Sequence, residues 1–198
     1  MNTITTTLIT EATTSDNGLK RYILRKLWDE SKPRLAVIML APSEASAVSL
    51  DNTSMLVLNN AVRLDYGSVT MLNLFATIND FSLKQAEDED PENLDVIVHA
   101  CQEADTIVFA PGTGKVANKA FQKREQQVLS ALLPLEGKLH CLCDANGNAR
   151  LQHPLSPAVR TWHLSSLKVS ELLPATEEVQ PVQKKTPKGK SKTSTKQE

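Results

Sequence analysis

The hydrophobic pattern of the chain consists of short apolar runs separated by amphipathic segments. Four runs, "RLAVIML", "SVTMLNLFA", "DTIVFA" and "KLHCLCD", are mainly apolar, with apolar residues at both odd and even positions, which is typical of strands buried on both faces. An earlier segment, "RYILRKLWD", alternates in character and predicts a further strand at a sheet edge. The pattern therefore predicts four central strands and one further strand that is less buried.

Three segments between these runs have the spacing of amphipathic helices. Gly67 stands where the first helix should have its C-cap. The second has Asp90 as a good N-cap and Pro91 at its first position. The inward positions of the first and third helices are Met55, Leu58, Ala61 and Val62, and Ala117, Phe121, Val128 and Leu132. Strands alternating with helices predict an α/β fold, a three-layer domain around a four-stranded, mainly parallel sheet.

Composition divides the chain into a body and two terminal segments. Of 198 residues, 40% are hydrophobic and 23% charged, which is typical of a globular domain. Residues 1–18 are rich in threonine and are expected to be flexible or weakly extended, and residues 19–173 to form the α/β domain. From residue 174 the composition shifts to Pro, Gln, Lys, Ser and Thr, which predicts a disordered tail.

The net charge of −1 conceals an asymmetry between body and tail. Six lysines and three acidic residues give residues 174–198 a charge of +3, which leaves −4 for residues 1–173. A basic, flexible tail predicts contact with nucleic acid or with a protein partner.

Several classes of protein are disfavoured by features that the chain lacks. No apolar run approaches the roughly 20 residues that cross a bilayer, and the N-terminus has no basic start followed by an apolar stretch. Three cysteines do not make a disulfide framework, and "HCLC" has no second Cys or His cluster to complete a zinc site. We therefore expect a cytoplasmic protein with no membrane contact, no metal and no bound cofactor.

Polar segments follow the predicted core strands, and they should meet at one edge of the sheet because parallel strands end together. "APSEAS" contains Pro42, Ser43 and Glu44, and "HPLSP" holds His153 and Ser156 between two prolines that stiffen the loop. These segments are candidate binding loops. Each also has a plainer interpretation, since serines often cap turns and a loop histidine is often only a surface residue.

The glycine turn "PGTGK" is a third candidate segment. It is not a phosphate-binding P-loop, because Phe109 stands where that pattern needs glycine and Val116 where it needs Ser or Thr. Gly112 and Gly114 still allow a ligand to approach the backbone beside Lys115, and the N-terminus of the following helix favours an anion. A tight strand-to-helix turn explains the glycines equally well.

With these segments in order, the chain resembles the bacterial and phage family known as domain of unknown function 1643. The matching features are "RYILRKLW", "IMLAPSEAS", "DNT", "NLFAT", "DTIVFAPGTGK" and "NARLQHPLS", within about residues 20 to 157. The resemblance implies no settled activity. The chain also departs from the family: Ala41 replaces the usual Asn, Asn52 the usual Pro, and Pro111 a frequent Trp. If those positions are catalytic in the family, this member has an altered or lost activity.

A more distant resemblance is to the uracil-DNA glycosylase superfamily, in which a Pro-containing motif follows the first core strand and a His-Pro-Ser-Pro-like loop comes late. It implies a base pocket in which His153 stabilises negative charge on the base and Phe75, after Asn73, stacks on it. Ala41 cannot activate water, so Glu44 or Asp51 would have to do so.

Two classes of function therefore remain open. The first is a nucleobase- or nucleotide-directed pocket, with glycosylase-like action on DNA or a nucleotide. The second is a non-catalytic interaction protein of a mobile element, with degenerate site motifs and a lysine tail that contacts nucleic acid or a protein. Ala41 and the missing Trp favour the second class, and the "NLF" and "HPL" segments favour the first.

Overall fold

The computed structural model describes residues 1–79, 90–113, 117–148 and 151–173. In these residues one mixed sheet has the strand order β1-β2-β4-β3-β5-β6-β7. Its strands are β1 (Ile9–Thr14), β2 (Arg21–Leu27), β3 (Arg34–Met39), β4 (Ser68–Asn73), β5 (Thr106–Phe109), β6 (Leu139–Cys143) and β7 (His163–Ser166). The chain is therefore an α/β protein built on a single seven-stranded sheet.

The prediction of a four-stranded, mainly parallel sheet is wrong. The four predicted core strands do form a parallel centre, β4-β3-β5-β6, but three antiparallel strands extend it. The glycosylase-like architecture expected with the smaller sheet is not supported. The edge strands β1 and β7 are largely exposed. Backbone hydrogen bonds hold them in the sheet, so their sequences do not need the apolar run that marks a buried strand.

Strands β1 and β2 form the N-terminal part of the sheet. Strand β1 lies within residues 1–18, which were expected to be flexible or weakly extended, and it pairs with β2 through a turn in which Gly18 has φ +70°. Strand β2 was expected at an edge but lies between β1 and β4. The expected tail, residues 174–198, lies outside the described residues.

Four α-helices belong to the described residues. They are α1 (Asn52–Arg63), α2 (Pro91–Glu103), α3 (Lys119–Leu132) and α4 (Val169–Leu172), with 3₁₀ turns at Leu133–Lys138 and Pro157–Val159. None of them is both long and apolar enough to cross a membrane. Helix α2 begins after the predicted N-cap, since the Asp90 side chain accepts a hydrogen bond from the Asn93 amide.

The predicted face of α1 is wrong by part of a turn. Met55 and Val62 are exposed, whereas the buried residues of this helix are Ser54, Val57, Asn60 and Ala61. The C-cap of α1 is Leu64 rather than the predicted Gly67. Two of its four buried positions are polar, so the apolar pattern alone could not locate the inward face.

The sheet carries a hydrophobic core on each face. The α1 core packs α1 and the segment around Trp162 against one face, with Val37, Met39 and Met71 among its members. The α2/α3 core packs α2 and α3 against the other, around residues such as Ile97 and Phe109. Helices thus cover both sides of the central strands, which explains why those strands carry apolar residues on both faces.

The strand order creates a crevice at the carboxyl ends of β3 and β5. Helix α1 leads from β3 to β4 on one side, and α3 leads from β5 to β6 on the other side. The connections that follow β3 and β5 run towards opposite edges of the sheet and cover opposite faces. A gap therefore opens between the two loops. The loop after β3 and the loop after β5 border this gap.

Candidate functional site

Two cationic side chains of β2 hold the loop that follows β3. Arg21 Nη1 donates to the carbonyl oxygens of Ser43, at 3.3 Å, and Ala45. Lys26 Nζ donates to the carbonyl oxygen of Ala47 at 3.2 Å, and to Thr10 Oγ1 at the same distance. Both side chains are buried, so the loop is fixed to the sheet by hydrogen bonds from charged donors, which are stronger than neutral ones.

A β-bulge in β2 directs Arg21 towards this loop. Thr13 pairs with Ile23 and Thr14 with Arg21, so Tyr22 has no partner on β1. Ile23 packs against the α2/α3 core, and the Tyr22 hydroxyl donates to Glu92 of α2 at 3.1 Å. Two successive side chains thus face α2, and Arg21 is placed on the opposite face. Bulges commonly redirect a side chain in this way beside functional sites.

Asp51 connects the loop after β3 to the start of α1. Its Oδ1 accepts a hydrogen bond from the Ser54 amide at 2.7 Å, which caps the helix, and its Oδ2 accepts one from the Ser43 hydroxyl. Burial alone would raise the pKa of Asp51, but these hydrogen bonds and the nearby Arg21 lower it below the ordinary value. Asp51 is therefore a carboxylate at neutral pH.

His153 reaches the same place from the loop after β6. It packs on Gly112, where an added Cβ would lie 3.0 Å from the His153 Cβ. The backbone amide of Leu155 donates to His153 Nδ1 at 3.2 Å, so the neutral ring carries its proton on Nε2. Burial lowers the pKa of His153 and the charge of Asp51 opposes this, with a net lowering. His153 is therefore mainly neutral at pH 7.

The segment after the His153 loop is fixed on α1 by a buried asparagine. Asn60 Nδ2 donates to the carbonyl oxygens of Leu56, at 2.9 Å, and Arg160, at 3.0 Å, and Asn60 Oδ1 accepts from the Trp162 amide at 3.0 Å. Trp162 itself is fully buried in the α1 core. These contacts anchor the chain that follows His153, and so limit how far the loop can move.

These side chains line one pocket of about 290 Å³. Its lining residues are Arg21, Met39, Ala41, Ser43, Asp51, Asn52, Thr53, Ser54, His153 and Leu155. The positive charge of Arg21 and the negative charge of Asp51 cancel, and the neutral ring of His153 adds a hydrogen-bond donor. The pocket lies beyond the carboxyl end of β3, and its His153 packs on Gly112 after β5. An open α/β sheet usually binds its ligand at this end of its strands.

Three other predicted site residues lie outside the lining of this pocket. Glu44 is exposed, and its carboxylate accepts a hydrogen bond from Asn79 Nδ2 at 2.9 Å. Phe75 packs against the α2/α3 core, on the other face of the sheet. Ser156 is half-buried, and its amide donates to the carbonyl oxygen of His153 at 2.8 Å. Ser156 therefore shapes the His153 loop.

The remaining predicted residues are backbone elements or deeply buried. Pro42 is buried and its carbonyl accepts from the Asn79 amide at 3.0 Å. Asn73 ends β4 beside Met39, is 1% exposed, and neither its Oδ1 nor its Nδ2 has a partner among the described residues. Gly114 and Lys115 lie outside the described residues. A buried amide without partners is rare and calls for an explanation.

Sequence reasoning did not find Arg21 or the first turn of α1. Arg21 follows a lysine at the start of a strand-like segment, and nothing in the sequence marks the bulge that redirects it. In the residues that the structure describes, no three His, Cys, Asp or Glu side chains gather as metal ligands.

Fold and site together define an α/β protein with a small pocket beyond the carboxyl end of β3, in which an arginine, an aspartate and a histidine meet. A family profile matches residues 21–155, and the chain belongs to that family, which is described as protein of unknown function (DUF1643). The match ends at Leu155 and includes Arg21, Ser43, Asp51 and His153. Searches of curated proteins and of solved structures found no significant match.

Proposed function

We propose that the pocket binds a nucleobase, either free or as part of a nucleotide or DNA. The observation that carries the proposal is the meeting of Ser43 and Asp51 with His153, about a hundred residues apart in sequence, in one pocket beside Arg21. A pocket of about 290 Å³ is at the small end of ligand sites and suits a planar ring with several polar edges.

The chemistry that this pocket supports best is cleavage of a bond between base and sugar. In such a reaction a water oxygen bonds to the sugar carbon as the carbon–nitrogen bond breaks, and the base departs with the bonding electrons and a negative charge. The proton that the water loses finally neutralises the base. The Nε2 proton of neutral His153 can stabilise that charge, as an oxyanion donor does. Of the two candidate carboxylates only Asp51 lines the pocket, so Asp51 is favoured over Glu44 for orienting water or stabilising positive charge on the sugar.

A second candidate function is binding without catalysis. Ala41 lines the pocket with no reactive group, and both Asp51 oxygens already accept hydrogen bonds from Ser43 and Ser54. A carboxylate engaged in this way is a weak general base. These observations favour an interaction protein that retains the family's pocket, as the altered motif after β3 also does.

A titration of the ¹⁵N-labelled protein with nucleobases, nucleosides, nucleotides and short single-stranded DNAs tests the proposal. We expect at least one of them to shift the amide signals of residues around the pocket. His153→Ala should weaken that binding about two- to tenfold, since a hydrogen bond is worth about 0.5–1.5 kcal/mol. His99→Ala, on the exposed side of α2, is the control and should leave it unchanged.

The two candidate functions differ in whether free base is released from the bound compound. Release of free base from a bound nucleoside or DNA, followed by chromatography, supports cleavage, and its loss in Asp51→Asn would place that carboxylate in the reaction. Binding without released base supports the interaction protein. If no compound of the panel shifts the pocket signals, the proposal of a nucleobase site is wrong.

A further inference from the structure

Strand β1 ends the sheet, and no strand of the described residues pairs with its outer edge. Five of its six residues are exposed. Edge strands of natural proteins are usually short, or carry lysine or proline that prevents pairing with another chain. The opposite edge strand, β7, has only four residues. Strand β1 has no lysine or proline, and its one charged side chain, Glu11, is paired with Arg25 at 3.6 Å. The β1 edge is therefore open to a further strand.

The residues before β1 have the composition of a strand but lie outside every strand of the structure. Residues 2–8, "NTITTTL", consist mainly of threonine, isoleucine and leucine, of which the β-branched ones favour strands. The first nine residues also carry four exposed large apolar side chains, Met1, Ile4, Leu8 and Ile9. Single exposed apolar side chains are common, whereas a cluster of them marks a contact surface.

The outer edge of β1 presents the backbone groups of Thr10 and Ala12. The Trp28 amide donates to the carbonyl oxygen of Gly67, just before β4, so the even-numbered residues of β2 turn their backbone groups towards β4. The odd-numbered residues of β2 then face β1, where they pair with odd-numbered residues. The even-numbered residues of β1 therefore direct their N–H and C=O groups away from the sheet.

A second copy of the chain suits this edge, because two copies of β1 related by a two-fold axis run antiparallel and bond through their even-numbered residues. Charge limits the register. An axis at residue 11 would place the two Glu11 carboxylates opposite each other, and an axis at Thr10 would place Glu11 opposite Ile9. An axis at Ala12 would leave the exposed Leu8 and Ile9 uncovered. An axis at Ile9 avoids all three conflicts.

We propose that β1 pairs with β1 of a second copy of the chain about a two-fold axis at Ile9. Residues 4–8 of each chain extend β1 and lie along the partner strand, so that one sheet runs through the dimer. Ile9 meets its copy on one face, and Leu8 lies opposite the partner's Thr10 on the other. Because the pairing uses the β1 edge of both copies, it stops at two chains. It involves residues outside the family match and is independent of the proposed nucleobase site.

Sedimentation equilibrium of the full-length protein at several concentrations tests the inference. We expect a dimer with Kd on the order of 10 μM, because one strand pair buries less area than a standard interface. Ile9→Lys places two like charges opposite each other and should raise Kd at least about tenfold. Leu133→Lys is the matched control, since Leu133 is 44% exposed and Ile9 47%, and it should leave Kd unchanged.

An equimolar mixture of Ile9→Lys and Ile9→Glu tests the register. Each variant alone should be monomeric, and the mixture should dimerise, because lysine then lies opposite glutamate. Ala12→Pro removes an amide that faces away from β2, so it should abolish the dimer. Its circular dichroism spectrum, and its urea unfolding at a concentration where the unmodified protein is monomeric, should change little.

The other outcomes contradict the inference. A protein that stays monomeric at about ten times the expected Kd does not pair through β1, and neither does one whose dimer survives both Ile9→Lys and Ala12→Pro. A dimer that Leu133→Lys also abolishes is held by another surface. If the mixture of the two Ile9 variants stays monomeric, the axis does not lie at Ile9. Assemblies larger than a dimer would contradict the closed two-fold pairing.

Discussion

At the scale of single residues, the site depends on one close contact between two loops. Gly112 has φ +85°, a conformation that costs other residues about 1–2 kcal/mol, and its Cα faces the Cβ of His153. The sequence predicted glycine for backbone access by a ligand, whereas the structure gives it a second use. The absence of a side chain at 112 lets the His153 loop lie against the strand end.

We therefore expect Gly112→Ala to lower the free energy of unfolding by about 1–2 kcal/mol from backbone strain and to displace His153 as well. Gly147→Ala is the matched control, because Gly147 has φ +78° and no atom within 4 Å of its added Cβ. Both variants should lose similar stability in urea, but only Gly112→Ala should move the His153 ring signals in the NMR spectrum. Unchanged signals would show that the contact is unimportant.

The lowered pKa of His153 makes folding depend on pH. In the unfolded chain the ring titrates near 6.5, and in the folded protein burial lowers that value. Between the two values the unfolded chain binds more protons, so the free energy of unfolding should rise with pH there, by at most about 1.4 kcal/mol per pH unit. The stabilisation is present above about 6.5 and is lost as the pH falls through this window.

Urea unfolding at a series of pH values from about 5 to 8 measures this contribution. His153→Gln should remove part of the pH slope, because an amide does not titrate in this range. His99→Gln, at an exposed position of α2, is the matched control for the substitution. Parallel curves for His153→Gln and the unmodified protein would contradict the prediction.

At the scale of secondary-structure elements, Asp51 serves both helix α1 and the pocket. Its Oδ1 caps the helix and its Oδ2 holds Ser43. Loss of an aspartate N-cap costs about 0.5–2 kcal/mol, and asparagine is an equally good cap. The two roles can therefore be separated by choice of substitution.

Asp51→Ala should be destabilised by about 0.5–2 kcal/mol in urea unfolding from loss of the cap, whereas Asp51→Asn keeps the cap and should lose less. Asn118→Ala, which removes the N-cap of α3, is the matched control. It should lose similar stability without altering the pocket signals, whereas both Asp51 variants should alter them. Equal stability of Asp51→Ala and Asp51→Asn would show that the cap contributes little.

Whether the sequence predicted a strand or helix depends on the interaction that holds that element in place. Strands β3 to β6 were predicted because burial on two faces demands apolar residues on both, and α2 because Asp90 and Pro91 mark its start. Strand β7 was not predicted, because hydrogen bonds to β6 rather than side-chain burial define it. The same reason explains the missed bulge in β2.

The same distinction separates the site residues that the sequence predicted from those that it did not. His153, Ser43 and Asp51 were predicted and lie in one pocket, because loops at the carboxyl ends of parallel strands meet whatever their sequence. Arg21 was missed, since its direction follows from a local irregularity in strand pairing. Glu44 and Phe75, chosen from short motifs, lie elsewhere, because sequence order does not tell on which face a loop residue ends.

At the scale of the whole molecule, the charge is divided between a body at −4 and residues 174–198 at +3. The sequence predicts that this tail takes no part in the core, because it has few apolar side chains to bury. A chain ending at Leu173 should therefore melt within a few degrees of the full-length protein. A large fall in melting temperature would show that the tail packs on the body.

The same charge division predicts which part of the chain binds nucleic acid non-specifically. Six lysines in residues 174–198 can each neutralise a phosphate, while the acidic body repels DNA. We expect weak binding of the full-length protein to duplex DNA, with Kd on the order of 10⁻⁴ to 10⁻⁶ M. The logarithm of the affinity should fall with the logarithm of salt concentration with a slope of at most about −5, which is the limit for six phosphate contacts.

Fluorescence anisotropy at several salt concentrations measures both quantities on full-length protein and on residues 1–173. The shorter chain should lose duplex binding, and yet retain any nucleoside binding in the pocket, because contacts to a base release few counterions. A nucleoside affinity that changes less than about twofold over the same salt range would separate the two modes of binding. Duplex binding that survives removal of the tail would instead place a nucleic-acid surface on the α/β body, although that body carries net negative charge.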